Sequence, residues 1–97
     1  MPRELVHDKA AQGDLIGIWV YSFEAWGAAQ ADRYLDALEV AIRKVVDNSE
    51  DGKQRDALRP GYWSKRLEHH VVFYTLHRRR LRVRRVLHEV MDPGSHF

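Results

Sequence analysis

The 97-residue chain is short enough to build one domain around one modest core, and its 44% hydrophobic and 31% charged content describes a globular chain, not a disordered or fibrous one. With no cysteine, disulfides and thiolate metal sites are excluded and a reducing compartment, the cytoplasm, is expected; a charged N-terminal stretch and the lack of any uncharged run of about 18 residues argue against secretion and membrane insertion. The net charge of +2 conceals a division: residues 1–52 hold 5 Lys/Arg against 10 Asp/Glu, whereas residues 53–97 hold 11 against 4. A basic C-terminal half suits an acidic or nucleic-acid partner, and it equally suits solvated strand faces that resist edge-to-edge aggregation.

In chain order, "RELVH" reads as a short opening strand, and Asp8 is placed to cap a helix running through "KAAQGDLIGIWVYSFEAWG" to Gly27. In that helix Ala11, Leu15, Ile18, Trp19, Ser22 and Trp26 follow the spacing of one face, while Ile16, Val20 and Phe23 lie on another. So wide an apolar surface exceeds what a single contact covers, so the helix is either sandwiched or has a face that awaits a partner. The next helix, "AAQADRYLDALEVAIRKVVDN", has a clean stripe of Tyr34, Leu35, Leu38, Ala41, Ile42 and Val45, and the short connection at Gly27 makes the two a hairpin. Asp51-Gly52 and Pro60-Gly61 mark residues 49–61 as loop with little regular structure.

Three strands are expected after it, at 62–68, 70–76 and 81–88, joined as antiparallel hairpins. In the middle one Val71 and Phe73 face one way while Val72, Tyr74 and Leu76 face the other, which is the pattern of a central strand covered on both sides. In the last, strict alternation puts Leu81, Val83, Arg85 and Leu87 on one face and Arg82, Arg84, Val86 and His88 on the opposite one. Arg85 is the odd member, because an unpaired charge on an apolar face is costly. Pairing with a carboxylate such as Glu68 would answer it.

Few constellations carry chemistry. Adjacent His69 and His70 point to opposite faces of a strand and there is no HExxH, so no metal site or cofactor is expected; no serine sits in a Gly-x-Ser-x-Gly elbow and no Gly-rich phosphate loop is present. A metal-free ribonuclease needs only an acid, a base and cations, which Tyr74, His70, His88, Arg84 and Arg85 supply by type. By type alone they are as readily structural.

Several stretches in order resemble one family. "DLIGIWVYSFEAWGAAQADRYLDALEVAI" (14–42) is similar to the paired helices of ParE toxins in the RelE/ParE superfamily, and "LRPGYWS" (58–64), "HHVVFY" (69–74) and "RVLHEVMDP" (85–93) resemble that family's loop and two of its strands. The resemblance implies an α+β fold over residues 1–97: a short N-terminal strand, a helical hairpin, then an antiparallel sheet of three or more strands. It implies the toxin of a type II toxin–antitoxin pair, held inactive by a ParD-like antitoxin. Once freed, such a toxin binds DNA gyrase and stabilises its cleaved-DNA complex, contacting DNA through that complex and blocking replication, without being a catalyst.

On this reading Ile16, Val20, Phe23, Val72 and Tyr74 are the expected antitoxin contacts, and Arg84, Arg85, His88, Met91, Asp92 and His96 the expected target contacts. The alternative is a RelE-like ribosome-dependent mRNA endonuclease. His70, where such relatives carry a basic residue, and the ending "MDPGSHF", without a terminal tyrosine, favour the gyrase branch, with residual RNA cleavage left open by His88, Arg84 and Arg85.

Overall fold

A computed structural model describes residues 3–97. The elements are β1 (Glu4–His7), α1 (Lys9–Trp26), α2 (Ala28–Asp47), β2 (Lys53–Gln54), β3 (Tyr62–Leu67), β4 (His70–His77) and β5 (Arg80–His88), with short 3-10 turns at Ser49–Asp51 and Pro93–His96. The strands form one sheet in the order β1-β5-β4-β3-β2. β2 to β5 pair antiparallel, and β1 joins the far edge parallel to β5, setting Glu4 opposite Arg80 and His7 opposite Val83.

The hairpin turns where it must. Gly27 adopts φ 89°, a region only glycine enters freely, and it both returns an N–H to the Phe23 carbonyl and accepts from Ala31 at the start of α2. Trp19 in α1 then donates its indole N–H to Asp32 in α2 at 2.9 Å, fixing how the helices lie against each other. The α2 stripe is buried as its periodicity predicts, through Ala31, Leu35, Leu38, Ile42, Val45 and Val46. α1 buries only Ala11 and Ser22 fully, with Leu15 and Ile18 packed against the core, whereas Trp26 departs from the expected inner face and is 65% exposed. Both helices cover the same side of the sheet, over Val72, Tyr74, Leu81, Val83 and Val86.

Residues 49–61 contain more order than turn signals suggested. The 3-10 turn brings the Ser49 carbonyl to the Tyr74 hydroxyl, which donates to it at 2.7 Å, and β2 follows at once against β3. Gly52 is required between them, since a Cβ there would overlap the Tyr74 hydroxyl and crowd the Ser64 carbonyl at 2.9 Å.

β4 is the central strand and its alternation holds, with Val72 and Tyr74 toward the helices and Val71 and Phe73 away. β5 does not alternate strictly. Phe73 pairs with Arg85 while Tyr74 pairs with Val83, so Arg84 is an extra residue in a β-bulge. Before the bulge Leu81 and Val83 face the helices; beyond it Val86 and His88 take over, and Arg85 leaves the apolar set to which strict alternation assigned it. That expectation was wrong because one inserted residue inverts the facing of everything after it.

Candidate functional site

β1 covers the outer edge of β5 only as far as Val83, and where it stops the N-terminal half of α1 swings alongside. Asp14, on the second turn of α1, substitutes for the missing strand: its Oδ2 accepts the Val86 N–H at 2.9 Å and the Arg85 Nε at 2.8 Å, and its Oδ1 accepts Arg85 Nη2 at 2.8 Å. The third nitrogen of Arg85 donates to the His96 carbonyl at 3.1 Å. Arg85 is thus a clamp between α1, the sheet edge and the C-terminal turn, and the Asp14 hydrogen bonds raise its pKa. Its partner is Asp14 and not Glu68, which sits at the β3–β4 turn with φ 55°.

Beside this clamp lies a groove of about 910 Å³ between the helical hairpin and the end of β5. Gly13 and Gly17, one turn apart on α1, leave its wall open, for a Cβ at either would meet nothing within 4 Å. Tyr21 and Trp26, in edge contact at 6.2 Å, form the apolar flank on the helix side, and Val90 and Met91 form the opposite one. These four are exposed, Val90 to 81%, in a protein with enough core elsewhere to bury such side chains.

The floor is polar. Tyr34 of α2 accepts the His69 amide at 3.2 Å and lies 2.6 Å from His70 Nδ1, so its hydroxyl proton points to an unprotonated imidazole nitrogen. Burial, with the charge of neighbouring His88 second, pushes the His70 pKa down to about 4, and burial raises that of Tyr34. His88 packs edge-on against His70 at 5.2 Å and accepts the Val90 amide at its Nδ1. At neutral pH the floor therefore carries a neutral His70 hydrogen-bonded to tyrosine, hemmed by Glu68 and His69 at the rim.

Of the six residues expected to touch a target, Arg85, His88, Met91 and His96 line this groove. Arg84 does not: it projects to the opposite side of the sheet, donating to Asp8 at 3.1 Å and Thr75 at 3.1 Å. Asp92 caps the last turn, accepting from Gly94 N and Ser95 Oγ. Of the five expected antitoxin contacts, Ile16, Val20 and Phe23 form an exposed shoulder on α1, Ile16 to 66%, with Phe23 stacked on Trp19 at 5.2 Å. Val72 and Tyr74 must be corrected, because they are 1% and 0% exposed beneath the helices and offer a partner no surface. Asp8, the expected cap of α1, precedes the helix but gives its carboxylate to Arg82 and Arg84 instead.

Of the ribonuclease set, His70, His88 and Arg85 line the groove and the other two do not. Tyr74 is in the core with its proton on Ser49, Arg84 is behind the sheet, Arg85 is held by Asp14, and only His70 and His88 meet. Asp14, Tyr34, Tyr21, Trp26 and Val90 escaped sequence reasoning. The one signal for them in the sequence is the pair of glycines, Gly13 and Gly17, inside α1.

The family model described as the ParE toxin of the type II toxin–antitoxin system parDE matches residues 5–93. This chain belongs to the ParE toxin family. A ParE1 toxin of Caulobacter vibrioides is 35% identical over 89 residues, 92% of each chain, and a ParE1 toxin of Mycobacterium tuberculosis is 38% identical over 84 residues, 86% of each. Among solved structures, a chain described as the chromosomal ParDE toxin–antitoxin system of Pseudomonas aeruginosa superposes with a TM-score of 0.78 over 89% of this chain and 95% of that one, at 16% identity. The match establishes the ParE-like fold: N-terminal strand, helical hairpin, antiparallel strands. No described helix of this ParE family member is long and apolar enough to cross a membrane.

Proposed function

We propose that this chain is a toxin neutralised by a ParD-like antitoxin and that, when free, it binds DNA gyrase in its cleaved-DNA complex and halts replication. The observation that carries the reading is the groove beside the Asp14–Arg85 clamp: an open channel of peptide dimensions with apolar flanks and a polar floor, continuous with exposed aromatic side chains. An amphipathic antitoxin segment gains most by laying its apolar face there and over the Ile16–Val20–Phe23 shoulder. Met91 and His96, expected target contacts, line the same groove, so an antitoxin seated in it covers them and neutralises by occlusion. Burial of Tyr74, the position of Arg84 behind the sheet and the tie of Arg85 to Asp14 support a protein that acts by binding, over the RelE-like endonuclease alternative.

The deciding experiment adds purified protein to gyrase with supercoiled plasmid and, in parallel, to a translating extract. Accumulation of cleaved plasmid is expected, and pre-incubation with antitoxin should abolish it. Cut mRNA with intact plasmid would overturn the proposal. Trp26→Ala with Met91→Ala should weaken antitoxin binding by about 1–3 kcal/mol, the range for buried interface anchors, measured by calorimetry.

A further inference from the structure

The face of the sheet turned away from the helices has a different character from the groove. By register it carries Lys53, Arg66, Arg80 and Arg82, opposite Ser64, Val71, His77 and Thr75 respectively, and Arg55 and Arg84 turn onto it. Three carboxylates share this side: Asp8 is divided between Arg82 and Arg84, Glu89 pairs with Arg66, and Glu4 stands beside Arg80 in register. Among the described residues Lys53, Arg55 and Arg80 make no ion pair. Like charges gathered on one strand face repel, so folding alone gives no reason to collect them.

At the centre the cations are held in place. The Arg55 guanidinium lies 5.7 Å from the Phe73 ring centre and donates to Ser64 Oγ at 3.3 Å; the Arg84 guanidinium lies 5.9 Å from the Tyr62 ring centre and donates to Thr75 Oγ1 at 3.1 Å. Phe97 fits between the two rings, edge-on at 5.2 Å to each. Two guanidinium groups, each stacked on an aromatic and tethered by a hydroxyl, therefore stand either side of an aromatic cluster that Phe97 closes. Solvated charge that merely protects an edge needs no such fixing, and Arg78 and Arg79 at the exposed β4–β5 turn show what that looks like.

We propose that this sheet face binds nucleic acid, with Arg55 and Arg84 each taking a backbone phosphate through their free N–H groups and Lys53, Arg80 and Arg82 flanking the path. Fixed planar guanidinium groups match phosphate in two-point contact. The surface lies across the sheet from the groove, so it functions whether or not gyrase is the target.

The test is fluorescence anisotropy of the full chain with a labelled single-stranded DNA, the duplex and an RNA of the same sequence, from 50 to 200 mM salt. Log affinity should fall linearly with log salt, at about −0.7 per phosphate contacted for a single strand, so roughly three contacts weaken binding by about tenfold or more across that range. Arg55→Gln with Arg84→Gln should remove two contacts and flatten the slope accordingly, while Trp26→Ala with Met91→Ala leaves it unchanged. Should the arginine pair fail to fold, Lys53→Gln with Arg80→Gln, both exposed and without ion pairs, must flatten the slope instead. Whichever nucleic acid binds tightest identifies the source of the phosphate. Failure to bind any of the three at 50 mM, or binding that ignores salt and both sets of variants, would sink the proposal, and neither outcome touches the gyrase assay.

Discussion

β5 has two halves and they are held at their outer edge by different means. From Arg80 to Val83 the edge is satisfied by a strand, β1, in regular parallel pairing. From Arg85 onward it is satisfied by one side chain, Asp14, which supplies an acceptor to the Val86 amide and two to Arg85. A strand protects an edge by repetition, so no single residue is critical; a side chain concentrates the same duty in one carboxylate. The second arrangement leaves room for a groove, because the helix bearing Asp14 can stand off from the sheet. Asp8, six residues earlier, makes the contrast sharper, for it also takes two arginines from β5, but as an accessory to a half that β1 already secures.

The largest effect should come from removing the carboxylate that holds the distal half. Asp14→Ala strands a partly buried guanidinium and a backbone N–H; about 2–3 kcal/mol is expected, lowering Tm by roughly 10–20 °C. Asp8→Ala, by contrast, should lose only about 0.5–1 kcal/mol. If the two substitutions proved equal, the distinction between a strand-held and a side-chain-held edge would fall.

Acidification probes the distal half through His70. The folded pKa of His70, about 4, lies below its ordinary value of 6.5, so the unfolded chain binds the proton first. Stability from this group is complete above pH 6.5 and declines as pH falls toward 4. The lowered His7 adds in the same direction, while the lowered Asp8 matters only at more acid pH. His70→Gln should flatten urea midpoints measured across pH 4 to 6.5, and an unchanged slope would assign the dependence elsewhere. Smallest in stability is Val20→Ala with Phe23→Ala on the exposed shoulder, expected within about 0.5 kcal/mol of the parent while antitoxin affinity drops; a large fall in Tm would return those residues to the core.

Much of this architecture could be read from residues. Both helices, the three long strands and the central place of β4 follow from periodicity, and Arg85 stood out because charge on an apolar face needs a partner. What periodicity cannot contain is an inserted residue: Arg84 looks like every other arginine in "RRRLRVRR", and only pairing with Phe73 and Tyr74 reveals it as the bulge. Nor could Asp14 be matched to Arg85, since local sequence offers no measure of a contact 71 residues apart, and nearby Glu68 was the simpler choice. β2 escaped because two residues are too few for any alternation to register. Val72 and Tyr74 were misassigned for a related reason: an apolar strand face reads the same whether its cover is a partner or the chain's own hairpin.

The parallel pairing of Glu4–His7 with Arg80–Val83 also governs when the molecule can exist during synthesis. β1 has no other strand to join, and the helices that follow it have their apolar stripe facing a sheet whose central strands are made last. Contacts this distant in sequence close only after most of the chain is available, and they close slowly. A nascent chain still short of Arg80 is therefore a helical hairpin without a floor, and clamp, groove and arginine face come into being together once β5 has been made.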